Sequence, residues 1–170
     1  MAAESLFFVQ NSTRATTAAP VKQPTGTAIR TMLQLATTTT ESIYIVEWGI
    51  SFDGSAAATP IAVELFGCTG AATMSSALAA TDVQNMTGGS AIDALQYSTA
   101  LSAYATGAVT EGTVANYRPF DLQLVAPTSQ YVKQWPLGRE PVVPASTFLR
   151  CRVTAGASVN AYIYVIFGQN

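Results

Sequence analysis

Two carboxylates stand where a hydrolytic dyad would need them. Glu47 lies in IYIVEWGISFD (43–53) and Glu64 in IAVELFG (61–67), each alone among apolar neighbours in the middle of a strand-like run. If the two strands are neighbours, such a pair could divide general acid and base work on a glycosidic bond. The plainer alternative is that each faces solvent or pairs with an arginine such as Arg30 or Arg150, and structural ion pairs are far commoner than catalytic dyads. The other ingredients of catalysis are missing. The chain has no histidine, so the commonest general base and the commonest metal ligand are absent together. Serines and threonines are plentiful, yet a hydroxyl without a base beside it is inert. No glycine-rich phosphate loop, Ca²⁺ loop or zinc spacing occurs. The residues therefore predict no catalytic site, no metal and no cofactor.

The remaining reactive side chains read as structure. Cys68 and Cys151 have no metal or redox spacing; Cys151 follows the apolar register Leu149, Cys151, Val153 and suits a small buried hydrophobe, although a Cys68–Cys151 disulfide is open. Arg150 and Arg152 flank Cys151 and are expected to be solvated or ion-paired rather than to bind phosphate. Trp48, Trp135 and the seven tyrosines could stack on a sugar ring. Trp48 alternates with Val46 and Ile50, which places it in the core, whereas Trp135 beside Pro136 could be surface or interface.

The elements that carry these residues are strands. In 43–53 the large apolar residues Tyr44, Val46, Trp48, Ile50 and Phe52 fall on every second position, which predicts one strand with all five on one face. Asp53-Gly54-Ser55 ends it with turn chemistry. Similar alternation marks 28–35 (Ile29, Leu33 and Leu35 together), 61–67 behind Pro60, and 119–126 (Phe120, Leu122, Leu124 against Asp121, Gln123, Val125). It marks 147–154 too, and 130–137 with Tyr131, Lys133, Trp135 and Leu137 on one face. In 160–167 both faces are apolar, so that strand belongs in the middle of a sheet. Pro141-Val-Val-Pro144 reads as an edge piece. About eight short strands without a long helix predict an all-β antiparallel sandwich, jelly-roll-like, with an immunoglobulin-like sandwich as the alternative.

Two segments depart from this pattern. Residues 1–27 read as an extended N-terminal arm: a short apolar plug, Leu6, Phe7, Phe8 and Val9, on a polar tether with two prolines. The plug either docks on a neighbouring subunit, folds back on its own domain or stays disordered. Residues 28–170 then form a single sandwich domain. Within it, 68–115 is an Ala/Thr/Ser/Gly-rich excursion, with turn chemistry at Gly88-Gly89, a possible helical turn over 92–101 and a poorly marked strand around 97–105.

Composition points the same way. At 170 residues the chain makes one ordinary domain. Only 11% of residues are charged, against about 25% in typical soluble domains. A surface so weakly charged has little repulsion to keep copies apart, which favours assembly. The net charge of −2 and the lack of a Lys/Arg cluster argue against a nucleic-acid partner. MAAESLFFVQNS has a glutamate where a signal peptide is basic and only four apolar residues in a row. It predicts neither a secretion signal nor a membrane anchor, with assembly in a cytoplasm.

Taken together, the arm SLFFVQNSTRATTAAPVKQPTGT, the pair SIYIVEWGISFDG and PIAVELFG, the segment EGTVANYRPFDLQLVAP, and the ending PLGREPVVPASTFLRCRVT with AYIYVIFGQN resemble structural proteins of tailed-phage virions, most of all the jelly-roll capsid decoration (cement) proteins. The resemblance covers most of 28–170 and rests on architecture rather than on a diagnostic motif. It implies a non-enzymatic homotrimer on the outer capsid surface that clamps adjacent subunits of the major capsid protein. The contacts would come from Leu6, Phe7, Phe8 and Val9, with Trp135 and Leu137. A tail or fibre component and a jelly-roll carbohydrate-binding module remain the alternatives.

Overall fold

The computed structural model describes residues 5–55, 59–88 and 98–169. Eight strands wind the fold: β1 (Leu6–Gln10), β3 (Arg30–Ala36), β4 (Ile43–Phe52), β5 (Ile61–Cys68), β9 (Arg118–Val125), β10 (Gln130–Gln134), β12 (Phe148–Thr154) and β13 (Asn160–Gln169). Five more attach to them: β2 (Gln23–Pro24), β6 (Ser76–Ala77), β7 (Gln84–Asn85), β8 (Ser98–Tyr104) and β11 (Val142–Val143). The first sheet runs β10-β4-β13-β1-β7, with β11 beside β4 and β2 beside β13; the second runs β6-β8-β3-β12-β5-β9. Reduced to the winding strands, β1-β13-β4-β10 packs against β3-β12-β5-β9. The first and last strands are paired, and the chain crosses repeatedly from sheet to sheet, which is jelly-roll topology. The all-β sandwich read from the alternation is the fold of the chain, and β13 is central, between β4 and β1.

The core lies between the sheets. Val9, Trp48, Ile163, Val165 and Phe167 enter it from the first sheet, and Leu33, Val63, Leu65, Leu149 and Val153 from the second, all essentially without solvent contact. Each such side chain contributes about 1.5–3 kcal/mol of transfer free energy.

Several expectations are corrected. Val46 is an extra residue in β4, a bulge opposite the step from Ile166 to Phe167. The bulge flips the parity behind it, so Ile43 and Ile45 join Trp48, Ile50 and Phe52 inside while Tyr44 turns to the outer side, where its ring lies over Gly168. In β3 a register shift opposite Cys151 and Arg152 breaks the alternation: Met32, Leu33 and Leu35 are buried, and Ile29, before the strand, is exposed.

The N-terminal arm is not a free arm. Leu6 to Gln10 form β1, paired with β13 on one side and β7 on the other. Asn11 extends the pairing: its N–H donates to Ile163 O at 3.0 Å, its amide donates to Ala161 O at 3.1 Å, and its side-chain oxygen accepts from Ile163 N at 2.9 Å. Further along, the Arg14 N–H donates to Asp82 at 2.9 Å, β2 pairs with Asn160 and Ala161, and Lys22 pairs with Asp53 at 3.1 Å.

The excursion also belongs to the sheets. Its strand β8 sits between β6 and β3, and β7 closes the edge beside β1. The strand expected around 97–105 is therefore present as Ser98–Tyr104. Of the possible helical turn at 92–101, residues 98–101 are strand and the rest lies outside the described residues, as does Gly89. Gly88 has φ +80°, as its turn requires.

Candidate functional site

The two carboxylates do not meet. Glu47 is in the first sheet and Glu64 in the second, both on outer faces, with the core between them. Glu47 accepts from the Tyr164 hydroxyl at 2.7 Å. Glu64 pairs with Arg152, its cross-strand neighbour, rather than with Arg30 or Arg150, and Arg152 lies over the Phe66 ring at 4.6 Å. Neither arrangement leaves a carboxylate pair flanking a common space, so Glu47 and Glu64 do not form a glycosidase dyad.

Arg150 is not solvated. Its guanidinium is fully buried on the outer face of the second sheet, under the loop that carries Glu111. It donates to Thr31 Oγ1 through Nε at 3.0 Å and Nη2 at 2.6 Å, and Nη2 also pairs with Glu111. Glu111 in turn accepts from the Thr31 N–H and hydroxyl. Cys68 and Cys151 are both free and buried. Cys151 lies in the core while Cys68 continues the outer row of Glu64 and Phe66, so the sheet separates them and the possible disulfide is not formed.

Of the residues expected to make partner contacts, Phe7 and Val9 are core, and Leu6 and Phe8 are half-buried on the outer face of the first sheet. Trp135 and Leu137 do not share a face. Trp135 packs against the core, with its N–H donating to Val46 O at 3.0 Å. Leu137 sits at the tip of the turn Pro136–Arg139, where Gly138 takes φ +80°, and it projects into solvent.

That turn belongs to a distinctive side of the sandwich. On the opposite side the excursion caps both sheets, the first with β7 and the second with β6 and β8, and the terminal strands are only two residues long. On this side, among the described residues, both edges are bare: β9 ends the second sheet, and β10 with β11 ends the first. Large apolar side chains are exposed near it, Leu122 at 59% and Leu124 at 76% on the outer face of the second sheet, Val132 at 50% on the outer face of the first, and Leu137 at 94% in the turn. Exposed apolar residues beside an unpaired strand edge are features that association surfaces use.

One carboxylate ties the two sheets together on this side. Asp121 Oδ2 on β9 accepts from the Trp48 indole at 3.0 Å and from the Tyr131 hydroxyl at 2.9 Å, and Oδ1 accepts from the Gln123 amide at 3.0 Å. Burial, the hydrogen bond to Asp121 and its negative charge push Tyr131 up to about 12. The alternation in 119–126 is present as a strand, and the structure supplies its sense. Asp121 and Gln123 face inward to satisfy Trp48 and Tyr131, and Leu122 and Leu124 face out. A carboxylate and an amide alternating with leucines were the signal available for them.

Among the described residues no group of three or more His, Cys, Asp or Glu could hold a metal ion, and no helix is long and apolar enough to cross a membrane. No family model, no curated protein and no solved structure matches this chain.

Proposed function

We propose that this chain is a non-enzymatic virion structural protein of the capsid-decoration type. As a homotrimer it sits on the outer capsid surface and ties adjacent subunits of the major capsid protein together. The single observation that carries the reading is the asymmetry of the sandwich: one side capped by the excursion, the other bare and lined by Leu122, Leu124, Val132 and Leu137. An apolar side on a chain with 11% charged residues is best used when covered.

The mechanism is mechanical. Apolar area buried across capsomer joints adds to the interfaces that resist outward pressure, and no nucleic acid, membrane or cofactor is touched. The contact set differs from the one expected at the outset. Phe7 and Val9 stabilise the domain itself, Leu137 stays, Trp135 leaves, and Leu122, Leu124 and Val132 enter.

Immunogold labelling of intact virions tests it. Label over the whole shell is the expected result. Label at one vertex assigns the chain to a tail or fibre instead, and virions without label overturn the reading.

A further inference from the structure

The outer face of the first sheet has a different chemistry from the bare side. Tyr162, Tyr164 and Ile166 point outward from β13, and the register sets Ser51, Gly49 and Glu47 of β4 beside them. Because Gly49 has no side chain, the Tyr164 ring lies across its backbone and reaches over to Glu47; a Cβ at Gly49 would run into that ring. The ring is thus laid along the sheet instead of standing up from it. The Phe8 ring is next to it, with centroids 5.6 Å apart and planes within 17°, and the Tyr162 ring follows at 6.4 Å.

Hydrogen-bonding groups border this row. The Tyr162 hydroxyl donates to Gln10 Oε1 at 3.1 Å, which fixes the ring. Gln84 of β7 lies beside Phe8, and Gln130 and Gln134 of β10 lie beside Ser51 and Glu47. Glu47 uses Oε1 for Tyr164, and a carboxylate can accept further bonds. The outward-facing positions of β4, β13, β1 and β10 hold no lysine or arginine; Lys133 has the opposite parity, across from Trp48.

We infer that this face binds a neutral, extended β-linked glycan chain, with sugar rings on Phe8, Tyr164 and Tyr162 and hydroxyls on Glu47 and the neighbouring amides. A pyranose presents a face of weakly positive C–H groups that complements the negative face of an aromatic ring. Its rim of hydroxyls both donates and accepts, as glutamine, serine and carboxylate require. An extended chain of β-linked sugars suits a row of rings lying along a sheet. Nucleic acid is disfavoured, because its phosphates would meet Glu47 and no cation. The inference shares only Val132, which lies beside Gly49, with the capsid reading; Leu122, Leu124 and Leu137 take no part.

The test is a titration of the full chain, followed by amide chemical shifts, with cellohexaose, xylohexaose and mannohexaose, and with dextran sulfate as the charged comparison. At least one neutral hexasaccharide is expected to produce saturable shifts centred on Phe8, Glu47, Tyr162 and Tyr164. Tyr162→Ala and Gly49→Ala, which removes no contact group but displaces the Tyr164 ring, are each expected to weaken binding about ten-fold. Leu124→Ser, on the bare side, is expected to bind as wild type. Tyr162→Ala is a truncation at a partly exposed site, and an unchanged spectrum away from the site shows that it folds. The inference is overturned by absence of shifts with all three sugars, by shifts mapping to another face, by preference for the sulfated chain, or by undiminished binding of folded Tyr162→Ala.

Discussion

The Trp48 indole donates to Asp121 Oδ2 at 3.0 Å, a bond from the second-to-outermost strand of one sheet to the edge strand of the other. Tyr131 shares the same oxygen. Asp121→Ala leaves the fully buried Trp48 N–H without an acceptor and is expected to cost about 2 kcal/mol in chemical denaturation. Asp121→Asn keeps a carbonyl oxygen at the position and is expected to cost clearly less. Equal losses for the two variants would show that the carboxylate does not act through these bonds.

A second prediction concerns Glu111, which reaches from the loop after β8 onto buried Arg150 and Thr31. Glu111→Ala strands a buried guanidinium and is expected to lower stability by about 3–5 kcal/mol. The paired change Arg150→Met with Glu111→Gln removes the charge as well as its partner and is expected to restore most of that loss. Hydrogen exchange should show that the Glu111 loop opens in the single variant.

Alkaline pH should weaken the fold through its tyrosines. Burial, with the bond to Asp121 and its charge, raises Tyr131 to about 12; burial, with the bond to Glu47 and its charge, raises Tyr164 as well. Unfolded tyrosines ionise at about pH 10. The unfolded chain thus releases its protons first, and the stability these groups contribute, full below about pH 10, is lost as pH rises toward 12. Denaturation midpoints across that range should fall, with a shallower fall in Tyr131→Phe. Tyrosinate absorbance should lag in the native protein behind that in denaturant.

The cysteines should be silent. Burial pushes the Cys151 thiol far above its ordinary value, and Cys68 is covered on the other side of the sheet with its thiol on Gly70 O at 3.2 Å. A thiol reagent is expected to label neither in the native protein and both in denaturant. Reducing agent should leave the thermal midpoint unchanged.

The sequence carried the winding strands well, because period-two alternation survives wherever one face of a strand meets the core. It failed where geometry broke the period: the Val46 bulge sends Ile43 and Ile45 inward, and the register shift in β3 buries Met32. In β9 the pattern was visible but its sense was not, since only the tertiary neighbours Trp48 and Tyr131 make Asp121 an inward residue. Likewise, LFFVQ reads equally well as a plug for a partner or as a strand. Pairing with β13, more than 150 residues away, decides it. The side that became the candidate site was hidden for the same reason, because which edges the excursion caps is a property of the assembled sheets.

The central claim, that the bare side is where copies and partners join, is tested most directly by molar mass in solution. Light scattering coupled to size exclusion, at rising concentration, should give a mass near three times 17.8 kDa for the wild type. A folded Leu124→Ser, Leu137→Ser variant should shift toward the monomer. A wild type that stays monomeric at every concentration, or a trimer indifferent to both substitutions, would contradict the claim.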